Sequence, residues 1–266
     1  VHVPGWRASA AAVAMAAVAA VALATPAQAS AGKSSALARK ALSARLDEPS
    51  VRTGPAAPSL PGLGASSEDL QEKLIELLPM PALEELERLC QQCRRCSLYK
   101  NRKNLVFGSG NKDAVLMFIG EGPGKDEDER GLPFVGRSGR LLDKILEAVE
   151  IKREDVYIAN IVKCRPPGNR NPKEEEKEAC IPFLRKQVAL IRPRILVCLG
   201  SVAAQAIIDK NYRITVDHGK WVERKGFFLT ATYHPSALLR VPARKKEAWE
   251  EFKNIKKKLE EISQAN

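Results

Sequence analysis

The chain has 266 residues, 44% hydrophobic and 28% charged, the proportions of an ordinary soluble globular protein. That excludes a chain disordered or membrane-embedded throughout, and leaves room for one sizeable domain with appendages or two small ones. An excess of 43 Lys and Arg over 32 Asp and Glu gives a formal net charge of +11, which favours a polyanionic partner such as DNA or RNA, or an anionic membrane surface.

Residues 1–66 differ in texture from the rest. RASAAAVAMAAVAAVALATPAQA, residues 7–29, has the length of a signal peptide and ends in a small-residue AQA site, but its positive flank is thin and it is short for a membrane span. From Ser30 to Ser67 the chain is rich in Ala, Ser, Pro and Gly with no sustained apolar face, which predicts a disordered linker. Export sits badly with the intracellular chemistry argued below. The stretch is therefore read as a dispensable extension, or a mis-assigned start, ahead of a single domain over residues 67–266.

From Ser67 the texture becomes globular. SEDLQEKLIELL and PALEELERLCQQC carry helical spacing with acidic starts, capped at Ser67 and Pro81. Four short apolar runs follow, predicting strands at Ala114–Gly120, Val156–Val162, Arg194–Gly200 and Phe227–Tyr233. Amphipathic stretches between and after them predict helices at Gly139–Val149, Lys173–Ile191, Val202–Asp209 and Lys246–Ile262. Near-continuous apolar strands alternating with helices predict an α/β fold, a three-layer α/β/α sandwich around a four-stranded parallel sheet.

Ligands of such sheets bind beyond the carboxyl ends of the strands. There the first strand runs into Glu121-Gly122-Pro123-Gly124, the second carries Asn160 near its end, and the fourth runs into YHPS, Tyr233 to Ser236. A carboxylate, an amide and an imidazole thus reach one edge of the sheet. GEGPG does not match a dinucleotide or phosphate-loop fingerprint, and no helix is expected to open directly from it. Taken singly, GEGPG is a tight turn and His234 an ordinary structural histidine; their joint placement makes them candidates for chemistry.

The six cysteines are Cys90, Cys93, Cys96, Cys164, Cys180 and Cys198. The first three read C-x2-C-x2-C, a spacing that points to metal rather than disulfides. Cys164 and Cys180 have fifteen residues between them, unlike the close second pair of most zinc sites, whereas an iron–sulfur cluster accepts thiolates from scattered positions. A thiol-only set is compatible with either metal, and spacing does not decide whether Cys90 displaces Cys93 or Cys96. Cys198, inside the apolar ILVCLG, reads as a small buried hydrophobe.

Together GEGPGKDED, LPFVGRSG, VYIANIVKCRPP, the cysteine spacing and YHPSALLR resemble the family 4 uracil-DNA glycosylases, the iron–sulfur type of bacteria and archaea. The resemblance covers about Leu86 to Leu259. It implies a [4Fe–4S] cluster on Cys93, Cys96, Cys164 and Cys180, and removal of uracil from DNA in base excision repair. It further implies that Phe134 stacks on the flipped base, that Asn160 reads the uracil edge, that His234 faces uracil O2, and that Glu121 and Glu127 shape the catalytic pocket with Gly122 at its wall. Arg137 and Ser138 are expected to hold phosphate with Arg140 flanking, Ser236 to lie beside the pocket, and Leu238 to fill the vacated base stack. Uracil-containing DNA is the expected partner, with base-excision-repair or replication proteins beside it. A monomer in the cytoplasm, associated with the nucleoid and not with membrane, is the expected setting. The alternative is a non-catalytic iron–sulfur nucleic-acid-binding module of the same fold.

Overall fold

The computed structural model of the chain describes residues 82–264. The expected extension, the helix over 68–78 and the caps at Ser67 and Pro81 lie outside the described residues. The order is α1 (Leu83–Gln91), β1 (Ser109–Gly110), β2 (Leu116–Gly120), α2 (Lys125–Arg130), α3 (Arg137–Ala148), β3 (Tyr157–Asn160), α4 (Glu174–Ile191), β4 (Ile195–Leu199), α5 (Ser201–Ile207), α6 (Ile214–Asp217), β5 (Val222–Arg224), β6 (Phe227–Thr232), α7 (Pro235–Arg240) and α8 (Lys245–Gln264).

The strands form one sheet of six in the order β1-β3-β2-β4-β6-β5. Its four central strands are parallel, with β2 beside both β3 and β4, and β4 beside β6. The two edges are short antiparallel additions, β1 on β3 and β5 on β6. The parallel four are those the apolar runs predict; the edges, two and three residues long, are too short to carry any periodicity. Every residue of β2, β3 and β4 is buried, because helices cover both faces of the sheet.

One core lies on the side holding Met117, Ile119, Leu184 and Ala203; the other is built from Phe118, Leu142, Leu146 and Phe252. Alternate residues of β2 divide between them, as the two-residue repeat of a strand requires. Register fixes the working edge: Gly120 lies opposite Asn160, and Leu199 opposite Thr232. The strands therefore release Glu121, Ile161, Gly200 and Tyr233 at one level. No helix among the described residues is long and apolar enough to cross a membrane.

Candidate active site

A cavity of about 640 Å³ opens at that level, lined by Glu121, Gly122, Glu127, Phe134, Arg137, Ser138, Asn160, His234 and Ser236 together with Arg240 and Arg244. The expected ring, amide, imidazole and carboxylate thus share a single space. Backbone geometry makes this possible. A Cβ on Gly120 would collide with Asn160 Oδ1 and come within 2.7 Å of the Phe134 ring, so the end of β2 lets ring and amide meet. Gly200, at φ +90°, has the His234 Cβ 2.9 Å from where its own would stand. These glycines were not singled out in the sequence; the signal was there, since the apolar runs FIG and CLG both end in glycine.

Phe134 sits in the left-handed region at φ 53°, a conformation that costs a non-glycine residue about 1–3 kcal/mol. It is held there by α3, whose Gly139 packs so closely on the Phe134 backbone that any Cβ would overlap its carbonyl. Phe134 and His234 are neighbours in the cavity lining, with ring centroids 5.6 Å apart and planes tilted by 35°. Asn160 is 1% exposed, and its Oδ1 has no protein hydrogen-bond partner. A buried amide oxygen without a partner is costly unless a ligand or water satisfies it.

His234 begins α7 as its N-cap, and its Nδ1 accepts from the Ser236 backbone N–H at 3.1 Å. The Ser236 hydroxyl lies 2.8 Å from the same nitrogen. Nδ1 is therefore an acceptor, and the neutral ring carries its proton on Nε2. Burial, reinforced by the Arg240 charge, pushes the His234 pKa down to about 4. Glu121 moves the other way: burial raises its pKa, offset in part by Arg240 and Lys177.

Three sequence expectations are corrected. A helix does open directly from GEGPG, with Gly124 as N-cap of α2. Glu127 is not a free acid: one carboxylate oxygen accepts from Val135 N and Gly136 N at 3.0 and 2.7 Å, the other from Gly124 N at 3.1 Å. It lines the cavity as the tie between α2 and the Phe134 loop. Ser236 does lie beside the pocket, where its hydroxyl meets His234 Nδ1 and helps orient the imidazole. Leu238 is fully buried in a small cluster with Tyr233 and Ala248, so it cannot enter a base stack, while the next residue, Leu239, is exposed. Asp128, beside Glu127, is likewise occupied by the backbone amides of Lys103 and Asn104.

Arg137 and Ser138 lie at the first turn of α3 on the cavity rim, where the helix dipole favours an anion. Arg140 instead leans back on the Val135 carbonyl. Arg240 and Arg244, on and beyond α7, complete the basic rim; the sequence reading placed Arg240 only within the ALLR segment.

A second, small cavity is lined by Cys90, Cys93, Cys96, Cys164 and Cys180, with Arg95, Arg102 and Lys163 around them. The Lys163 backbone N–H donates to Cys180 Sγ at 3.3 Å and the Arg102 guanidinium to Cys164 Sγ at 3.2 Å. Burial raises the pKa of the Cys164 thiol and pushes that of Cys180 up to about 12, so a cationic partner is needed to hold them as thiolates. Five thiols, N–H donors directed at sulfur and no histidine or carboxylate in the lining fit a thiolate-bound metal group. Cys198 lies in mid-β4 and is fully buried in the core.

The two cavities are joined through four residues of chain. Asn160 leads to Lys163, whose fully buried ammonium donates to the Asn160 carbonyl at 3.0 Å and to Gln187 Oε1 at 2.5 Å; Gln187 in turn donates to the Phe107 carbonyl. Cys164 comes next. Glu176, fully buried at the start of α4, pairs with Arg170 at 2.7 Å and accepts from the Ser97 hydroxyl at 3.3 Å. The Arg170 hydrogen bond is the main reason its pKa falls to about 2. It ties the Cys96 turn to the helix that carries Cys180.

The model of the uracil DNA glycosylase superfamily matches residues 107–253. A type-4 uracil-DNA glycosylase of Thermotoga maritima is 48% identical over 145 residues, 54% of this chain and 76% of the relative. Another from Archaeoglobus fulgidus is 45% identical over 166 residues, 59% and 83% of the two chains. A type-5 uracil-DNA glycosylase of Pyrobaculum aerophilum is more distant, at 34% identity over 146 residues, 48% and 64% of the two chains. The chain belongs to the uracil DNA glycosylase superfamily and, within it, to the type-4 uracil-DNA glycosylases.

Proposed function

We propose that the chain hydrolyses the N-glycosidic bond of uracil in DNA and leaves an abasic site without cutting the strand. The observation that carries this is the meeting of Phe134, His234 and Asn160, whose Oδ1 has no protein hydrogen-bond partner, in one cavity. A base must leave the stack to be reached, at a cost of a few kcal/mol; stacking on Phe134 offsets about 1–3 kcal/mol of it. Asn160 Oδ1 accepts from uracil N3–H while its Nδ2 donates to O4. Cytosine presents the reverse pattern at those atoms and would leave buried polar groups unpaired.

As the bond breaks, negative charge gathers on uracil and positive charge on the sugar. His234 Nε2–H donates to O2 and stabilises the leaving anion while staying neutral, a preorganised donor that needs no reorganisation. Glu121 faces the cationic sugar and orients or deprotonates water; its raised pKa makes it the stronger base. Arg137, Arg240 and Arg244 hold the flanking phosphates.

A [4Fe–4S] cluster would be held by Cys93, Cys96, Cys164 and Cys180, and what it supplies is a rigid anchor for the segment from Asn160 to Cys164. Through Lys163 that anchor reaches the carbonyl of the residue that reads the base.

The test is excision from a uracil-containing oligonucleotide, scored by alkaline cleavage. Asn160→Ala should lower kcat/KM by about 10³-fold, the equivalent of two unmade hydrogen bonds in a dry site. His234→Ala should lower it by about 10²–10³-fold. An iron-loaded wild type that binds the oligonucleotide but leaves no abasic product would instead be a binding module.

A further inference from the structure

The cysteine cavity holds one thiol more than a four-iron cluster takes. Cys90 is 1% exposed and lies in the last turn of α1, sheltered on its apolar side by Leu86, Phe107 and Phe183. On its other side it lines the same cavity as Cys93, Cys96, Cys164 and Cys180, and its thiol is near enough to those of Cys180, Cys93 and Cys164 to interact electrostatically with each. Cys198 provides the contrast, a fully buried thiol in mid-β4 that does not line this cavity.

The interval from Cys90 to Cys93 repeats the interval from Cys93 to Cys96. The first is already closed by a turn, with Cys93 N–H donating to the Cys90 carbonyl at 3.1 Å. Beyond Gln91 the helix ends, so an adjustment at Cys90 disturbs only a terminal turn, where backbone bonds fray most readily.

We infer that Cys90 is a reserve ligand that takes the place of Cys93 when that sulfur is lost, an inference that rests on the iron–sulfur reading of this cavity. The exchange is not a redox step. The Cys90 thiol gives its proton to solvent, and its thiolate forms an iron–sulfur bond to the iron that Cys93 no longer holds. Cys96, Cys164 and Cys180 keep their places.

The experiment measures iron, acid-labile sulfide and visible absorbance per chain in anaerobically prepared wild type, Cys90→Ala, Cys93→Ser and the Cys90→Ala/Cys93→Ser double variant. Thermal unfolding of each separates a chain that has lost its fold from one that has lost a ligand. Wild-type iron in both single variants, and loss of most of it in the folded double variant, is the expected result. A folded Cys93→Ser chain as iron-poor as the double variant overturns the inference, as does a double variant that keeps its iron. A wild type without iron or sulfide would remove the cluster reading itself, a distinct outcome.

Discussion

Gly120 contributes no side chain, and the pocket depends on that. Asn160 Oδ1 and the Phe134 ring occupy the space its Cβ would take. Gly120→Ala should keep the fold, since both neighbours are side-chain ends that can swing, while displacing the two groups proposed to grip the base. Misplacement on the order of 1 Å costs about 10²-fold. Circular dichroism unchanged from wild type, with kcat/KM for uracil excision reduced by that factor, is the expected outcome. The pH response divides between Glu121 and His234. With His234 neutral down to about 4, the proposed mechanism assigns the acid limb of kcat/KM to Glu121, whose pKa burial raises. Glu121→Gln should lower the rate by about 10²-fold or more and erase that limb. The sign for stability is opposite. A carboxylate with its folded pKa above the unfolded value is less favourable ionised in the fold than out of it. The variant should therefore melt higher than wild type at neutral pH, and the gap should close as pH falls through the raised Glu121 value toward the ordinary carboxylate range. A pH series of melting curves checks this.

At the scale of elements, α2 shows what composition hides. KDEDER looks like a solvated charge run, yet it is a helix between Gly124 and a left-handed Gly131, with Glu127 and Asp128 turned inward. Three backbone amides of the neighbouring loops end on Glu127. Glu127→Ala would strand them, at a cost of about 2–4 kcal/mol for charge-assisted bonds in a buried place, read as a drop in melting temperature together with activity. The four parallel strands were legible because burial on both faces writes an uninterrupted apolar run. Edge strands of two and three residues write nothing. Asn160, Phe134 and His234 could be placed at the sheet edge because strand ends and turn glycines are local signals. Which carboxylate was free and which was tied, and which of Leu238 and Leu239 faced outward, depend on contacts made across the fold, and no local pattern encodes those.

Over the whole molecule, the positive balance has a location. Arg137, Arg240 and Arg244 gather at the cavity rim, while Glu121 and Glu127 lie inside it. On the proposed mechanism, intact DNA meets the cations and Glu121 faces the sugar once it becomes positive. Binding should therefore weaken steeply with salt. If the three arginines each release a counterion, log(1/KM) against log salt should fall with a slope of about −3 on duplex DNA, and each Arg→Ala change should make it shallower by about 0.9. Catalysis on bound substrate, measured by single turnover, should stay nearly flat across the same range. With the arginines at the rim and Glu121 inside, the proposed mechanism keeps the two tasks apart in space.

Phe134 carries a left-handed backbone with Gly139 packed directly on its carbonyl, so the position of its ring is set at folding rather than by whatever enters the cavity. If the ring stacks on the base as proposed, a site built this way should refuse an ill-fitting base at the entrance instead of reshaping around it, and a search over mostly undamaged DNA would then consist of quick refusals.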